Sequence, residues 1–303
     1  MAASTGSFSY GDDSNRESLW DQIMDLDPTD TYVTSHSGSE TISNKVHSWV
    51  NDPFVQQTTQ TGTVELTDTT YAAVNPTLLQ NTTQIIEFGV RVGATSENID
   101  HAGFSNKFAR EQLKAMKQWK QQLELSVVAG ALVSGTGTAA RKMNGIFTFA
   151  SLLASTHASG VSLTSDLLNT FLEDAYLNGG DHDTVLVGSA LKTRISSFTA
   201  GNTRNVEAKA AELIGRIDVY DSDNGRVQIV KSRFIDKTGA AVTAGGCHNI
   251  GTYISDYVKV GKLDDVHYED RAKTGYFKSG AVVGEATAIV GNVNAVQIHQ
   301  LIK

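Results

Sequence analysis

FSNKFAREQLKAMKQWKQQLELSVVAGALV, residues 104–133, brings its large apolar side chains round at helical intervals. Phe108, Met116, Trp119, Leu123 and Val127 lie eight, three, four and four residues apart, which places them in one stripe along a single long helix. The other face carries Lys107, Arg110, Lys114, Lys117 and Lys120 with Glu111 and Glu124, so it is expected to meet water or another subunit. Thirty residues at about 1.5 Å each predict a rod of about 45 Å, ended by Ser134-Gly135-Thr136-Gly137.

The chain ahead of this spine has a different character. Positions 46–90 contain neither lysine nor arginine and are dense in Thr, Gln and Asn. Within them, Val64 and Leu66 alternate with Thr63, Glu65 and Thr67. After a polar bend at 68–76, Phe88, Val90 and Val92 alternate with Glu87, Gly89 and Arg91. The pattern predicts a long two-stranded ribbon. A lone hairpin is marginal in water, and this one has little apolar surface with which to fold back on its own core, so it needs a partner surface. The expected contact residues are Phe54, Val64, Glu65, Leu66, Phe88, Val90 and Arg91. Residues 1–16 are small and polar and are expected to be mobile until something orders them. Glu17 to Met24 reads as a short anchoring helix halted by Asp27-Pro28, and residues 31–50 as irregular.

Beyond the spine the grammar shifts to short alternating helices and strands. Thr164 or Ser165 caps a helix that turns Leu167, Leu168, Phe171, Leu172 and Ala175 inward and closes at Asn178-Gly179-Gly180. Thr184 to Val187 reads as a buried strand, and a second helix turns Leu191, Ile195 and Phe198 inward and stops at Gly201. Asn224-Gly225 marks a tight hairpin joining Ile217–Tyr220 to Val227–Val230. The last fifty or so residues return to strands at Tyr253–Val260, Ala281–Val290 and Ala295–Leu301, expected to pack on the spine. The chain therefore leaves one lobe, builds a second and comes back.

Composition narrows the possible functions. The 303 residues include 25 Lys and Arg against 33 Asp and Glu, a formal charge of −8. Affinity for nucleic acid rests on cations neutralising phosphates, so sequence-specific DNA binding is not expected. One cysteine, Cys247, cannot close an intramolecular disulfide, and with His248 it supplies two of the roughly four ligands of a structural zinc site. No apolar run approaches the ~20 residues of a membrane span, and the N-terminus has no basic start or apolar signal core. Synthesis and folding in the cytoplasm are expected.

Four phrases, taken in order and spacing, resemble the major capsid proteins of tailed bacteriophages, whose fold was first described in the Hong Kong phage shell. Asp27-Pro28-Thr29-Asp30-Thr31-Tyr32-Val33-Thr34-Ser35 is similar to the phrase near that family's N-terminal arm, with Tyr32 where proline is frequent. His47-Ser48-Trp49-Val50-Asn51-Asp52 resembles its His-x-Trp-x-x-Asp. Asn81-Thr82-Thr83-Gln84-Ile85 resembles its Asn-x-x-Gln-Ile, and Met143-Asn144-Gly145-Ile146 resembles its Gly-Ile turn.

The resemblance implies an α+β capsid fold. Residues 1–52 would form the N-arm and 53–95 an extended E-loop hairpin. A P-domain would combine the spine and following turn (96–159) with C-terminal strands (251–303), and 160–250 would be a compact α/β A-domain. It further implies self-assembly as pentamers and hexamers into a closed icosahedral head around double-stranded DNA, with a scaffold, portal or decoration protein as possible partners, and a place in the virion. Some family members carry a scaffolding extension of ~100 residues, a folded domain's size, so here a separate scaffold or none is expected. Others join an E-loop lysine covalently to an asparagine, chemistry that this lysine-free arm should lack. A cellular nanocompartment shell shares the fold and is the alternative.

No catalytic residue, metal ligand or cofactor site is expected. Asp181-His182-Asp183 could serve a soluble hydrolase, yet neighbours on an extended segment point to opposite faces, and the triplet reads as a solvated loop. Gly135-Thr136-Gly137 follows a helix where a dinucleotide loop would open one. Asp221-Ser222-Asp223-Asn224-Gly225 puts Tyr220 and Ser222 where a calcium loop needs its first and third ligands, so it reads as a hairpin turn. Cys247-His248 lies in a glycine-rich connector with no recognisable base beside it.

Overall fold

The computed structural model of the chain describes residues 30–52, 60, 62–68, 75–99, 106–150, 154–198, 218–238 and 246–303. Along them run α1 (Tyr32–His36), β1 (Gly38–Thr41), β2 (Val46–Asn51), β3 (Thr77–Thr82), β4 (Gln84–Gly93), α2 (Ala94–Asn98), α3 (Lys107–Ala129) and β5 (Ala154–Val161). They continue with α4 (Ser165–Leu177), β6 (Thr184–Val187), α5 (Ser189–Ser197), β7 (Val219–Ser222), β8 (Gly225–Lys231), β9 (His248–Tyr253), β10 (Val258–Asp270), β11 (Phe277–Val290) and β12 (Val296–Ile302). This is the α+β mixture expected. The helix read at 17–24 lies outside the described residues.

The spine is α3. Asn106 caps it by accepting a hydrogen bond from the Ala109 N–H at 2.9 Å. Phe108, Ala115, Trp119, Leu123 and Val127 are buried along one stripe, with Ala115 in the place expected for Met116, which is only half buried. They pack on a four-stranded sheet ordered β1-β10-β11-β4. Trp119 defines the contact: its indole N–H donates to the Ile86 carbonyl at 3.0 Å, and its ring lies over Gly284, where a Cβ would sit 2.7 Å from Trp119 Cζ2. Only glycine admits the ring this close. Each large side chain buried here is worth about 1.5–3 kcal/mol.

Two features of the expected spine are different in the structure. The helix has 23 residues, about 35 Å, because the chain turns off at Gly130, where a Cβ would lie 2.3 Å from the Ser126 carbonyl oxygen. Val133 instead bridges to Lys142, and the Gly-Thr segment becomes the tip of this small hairpin. Glu124 is 2% exposed instead of lying on the charged face. Its carboxylate accepts from the N–H groups of Val33 at 2.9 Å and Thr34 at 2.8 Å, tying α1 to the spine. Burial pushes its pKa above the usual carboxylate value, and those two hydrogen bonds only partly oppose the shift.

The second sheet has six strands ordered β5-β12-β9-β6-β8-β7. Strand β6, Thr184–Val187, is buried at every position because both faces of the sheet are covered. Val185 and Val187 meet Leu168, Phe171, Leu191 and Ile195 of α4 and α5, while Leu186 joins the core that extends from the spine. The local signals act as read: Thr164 accepts from the Leu167 N–H at 3.2 Å, Gly179 takes a positive φ after α4, and Tyr220 pairs with Val227 across a turn that brings Gly225 to φ +122°. The stop at Gly201 and the strand start at Ile217 lie outside the described residues.

The C-terminal strands divide between the sheets, a correction to their assignment as one block. The stretch read as a continuous strand from Tyr253 to Val260 is broken by a 3₁₀ turn at Ser255–Tyr257. Tyr253 therefore ends β9 in the six-stranded sheet, and Val258 begins β10 in the four-stranded one. β10 and β11 pair antiparallel beside the spine, but β12 crosses back to run between β5 and β9. The lobes are joined by Phe147, whose ring meets Tyr253 edge-on at 6.4 Å. It fits because position 251 is glycine; a Cβ there would be 2.4 Å from Phe147 Cζ.

Candidate assembly ribbon and its root

A ribbon exists, but its strands differ from those expected. β2 pairs antiparallel with β3 from Val46↔Thr82 to Asn51↔Thr77, so the excursion runs from 52 to 76. Val64-Glu65-Leu66-Thr67 is a tight turn. The Thr67 N–H and hydroxyl both donate to the Val64 carbonyl, at 3.3 and 2.6 Å, and Leu66 adopts φ +65°. The alternation at 87–92 belongs to β4, whose Ile86, Val90 and Val92 are buried against the spine and whose whole length pairs with β11.

The candidate contact residues accordingly separate. Val90 is 5% exposed and Phe88 packs beside it, so the subunit's own core already covers both. Arg91 stacks its guanidinium over the Phe277 ring at 4.4 Å. Phe54 lies outside the described residues. Val64 and Leu66 project from the turn at 75% and 105% exposure, and Glu65 is exposed between them. Sequence reasoning missed Val50 and Leu78, which pair across β2 and β3 and are 63% and 65% exposed. Their signal was the alternation Val46-x-Ser48-x-Val50 against Trp49.

The ribbon is rooted where the short phrases meet. The Trp49 indole donates to the Val290 carbonyl at 2.7 Å and its ring packs on Phe149 at 5.8 Å. Asn81, 1% exposed, donates to the carbonyls of Asn144 at 3.0 Å and Ala288 at 2.7 Å, and its Oδ1 accepts from the Asn144 N–H at 2.9 Å. Gln84 Oε1 accepts from the Met143 N–H at 3.3 Å. The Thr83 hydroxyl donates to Glu285, which also pairs with Arg141, and the Arg141 Nε–H donates to the Thr83 carbonyl at 2.9 Å. A buried amide satisfied on every side holds one geometry, so Asn81 pins the root of the ribbon to the sheet. Its root is rigid while its outer face is bare.

The sequence model of the SU10 major capsid protein family matches residues 4–302, nearly the whole chain. The chain belongs to that family. A curated relative, the major capsid protein of Escherichia phage Phieco32, is 28% identical over 131 residues, 43% of this chain and 37% of the relative, so the alignment spans little more than a third of that protein's length. Among solved structures, the capsid of cyanophage P-SCSP1u superposes with a TM-score of 0.61 at 13% identity, covering 95% of this chain and 93% of the other. The SrpI encapsulin of Synechococcus elongatus gives 0.57 at 12% identity over 96% and 93%. At such identities the likenesses establish the fold alone, the tailed-phage capsid fold.

The remaining constellations of this family member have structural surroundings. His182 is 6% exposed, which overturns its reading as part of a solvated loop. Its Nδ1 is 2.6 Å from the Thr252 hydroxyl and its Nε2 3.1 Å from the Asn294 carbonyl, and burial lowers its pKa. Asp183 accepts from the Ser255 N–H and hydroxyl, so the two residues point apart into different bonds. Cys247 is buried beside Gly160, and His248 Nδ1 lies 2.9 Å from Asp236. Among the described residues no three His, Cys, Asp or Glu side chains are placed to hold a metal ion, and no helix is long and apolar enough to cross a membrane.

Proposed function

We propose that this chain is the repeating subunit of the icosahedral head of a tailed double-stranded DNA phage, and that its β2–β3 ribbon closes the shell by lying on neighbouring subunits. The observation carrying this is the bare outer face of a rigidly rooted ribbon, with Val50 and Leu78 side by side and Val64 and Leu66 at the turn beyond them. Covering such surface contributes about 25 cal/mol per Å² removed from water. The ribbon's lack of lysine and arginine leaves few strong charges to desolvate. A patch on one subunit meeting a different patch on the next closes rings, here pentamers and hexamers, when the rotation permits.

The net charge of −8 suits a shell that encloses DNA without gripping it. A portal, scaffold or decoration protein completes the particle, and the joints are non-covalent. The structural likeness to an encapsulin leaves a cargo-filled nanocompartment as the second reading, and the family match favours the phage head. The test is a Val50→Asp, Leu78→Asp double variant, both sites being exposed in the single chain. It should give a folded subunit by circular dichroism that makes no shells by electron microscopy and sediments as a small species. Shells at wild-type yield would overturn the reading.

A further inference from the structure

The stretch read from sequence as an anchoring helix lies outside the described residues, and the structure holds a groove that suits it. Where α3 ends, a cavity of about 520 Å³ opens between the helix, the Val133–Lys142 hairpin and the segment after β8. Leu125, Ala129 and Phe234 give it an apolar wall, while Lys142, Arg233 and Lys237 stand round it and, among the described residues, no carboxylate lines it. Three cations on an apolar wall, with Asp30 on Arg233 as a counter-charge, fit an acidic, apolar ligand.

The chain itself carries such a segment. Trp20-Asp21-Gln22-Ile23-Met24-Asp25-Leu26-Asp27 interleaves apolar residues with Asp21, Asp25 and Asp27, and residues 1–29 hold six acids against the single base Arg16. The described chain begins at the groove: the carboxylate of Asp30 accepts from the Arg233 Nε–H at 3.0 Å. From Asp30, eight residues back to Gln22 reach up to about 28 Å when extended, more than the opening requires. We propose that residues 20–27 dock in this groove of their own chain, with Ile23, Met24 and Leu26 on the apolar wall and the aspartates facing Lys142, Arg233 and Lys237. The arm thus starts from a fixed point beside the spine.

The test uses the full chain with Cys247→Ala, adding Gln22→Cys and Ala131→Cys at the groove rim, and a short bismaleimide linker on dilute, unassembled subunits. Glu173→Cys, on the exposed face of α4, replaces the rim position as the control. The expected result is a link within one chain, seen as a faster band on a denaturing gel and as a joined 22–131 peptide by mass spectrometry. High salt and the Lys142→Glu, Arg233→Glu, Lys237→Glu variant, all exposed positions, should reduce it to the control level. Links only between chains would assign the groove to a neighbour's arm, and a yield equal to the control or indifferent to charge reversal would show that it does not hold this segment; each result overturns the proposal. The readout comes from single chains, so it stands whether or not shells form.

Discussion

His299, on β12 between β5 and β9 in the six-stranded sheet, should make the second lobe acid-labile. It is 1% exposed and stacked face to face on Phe171 at 3.5 Å. Its Nε2 lies 2.7 Å from the Gln297 amide nitrogen, which must be the donor, so the ring is neutral with its proton on Nδ1. Among the described residues Nδ1 is buried without a partner, and His157 and His182 are titratable neighbours. Burial first, then the two histidines, lowers the pKa to about 3 from an ordinary 6.5.

The folded state thus binds fewer protons than the unfolded one across that window. The stability this represents is fully present above pH 6.5 and is lost as the pH falls towards 3. Between pH 7 and 4.5 the loss is about 2.5 kcal/mol, at 1.36 kcal/mol per pH unit. With a urea slope of about 3 kcal/mol/M, the unfolding midpoint should fall by about 0.8 M. His182 adds a loss of the same sign, and Glu124 one of opposite sign, because its raised pKa means that stability falls as pH rises through it. The measurement is therefore a difference: urea unfolding of unassembled subunits followed by far-UV circular dichroism, wild type against His299→Phe, at both pH values. Phenylalanine keeps a ring against Phe171 and cannot titrate, so the variant should lose about 0.8 M less. Equal losses in the two proteins would refute the reasoning.

Glu124→Ala strands one buried and one partly buried N–H group and should destabilise the subunit by about 2–4 kcal/mol in urea unfolding, while Glu124→Gln, which keeps one acceptor oxygen, should lose about half as much. Asn81→Ala leaves the Asn144 N–H and two carbonyls without their partner and should cost about 3 kcal/mol or more. Amide hydrogen exchange at Trp49 and Leu79 should quicken with it, and shell yield should fall. Gly251→Ala drives a methyl into Phe147, and a loss of about 1–3 kcal/mol or more, read as a lowered thermal midpoint, is expected. Purified shells should run as monomers on denaturing gels, and a ladder of covalent oligomers would contradict the argument from the lysine-free arm.

Local signals were legible where local physics decides the outcome. The spine stripe, the Thr164 cap, the strand at 184–187 and the turn at Asn224-Gly225 could be read because helical spacing, one side-chain oxygen, β-branched residues or a glycine settles each. Glu124 and His182 were misplaced for one reason: charge on a helix face or beside aspartates reads as solvent exposure. Their burial depends on hydrogen-bond partners 91 and 70 residues away in sequence. The helix end was overrun because Ala131, Leu132 and Val133 continue the apolar pattern, and nothing nearby announces the Met143 carbonyl that closes on Gly130.

The ribbon was misassigned for a more instructive reason. Alternation at Phe88, Val90 and Val92 fits a strand equally well whether its apolar side meets a neighbour or the chain's own spine; only the identity of the covering element separates the two, and that element, α3, follows later in the sequence. The polar residues had already marked the boundary. Asn81 and Gln84 sit on either side of the step from β3 to β4, and each bonds the backbone of Met143–Asn144, a site no repeat of apolar residues could indicate. An amide whose every bond is satisfied in the core is where the ribbon must stop belonging to the fold. What lies beyond it, Leu78, Val50 and the turn at Leu66, is the part that the subunit's own core leaves exposed.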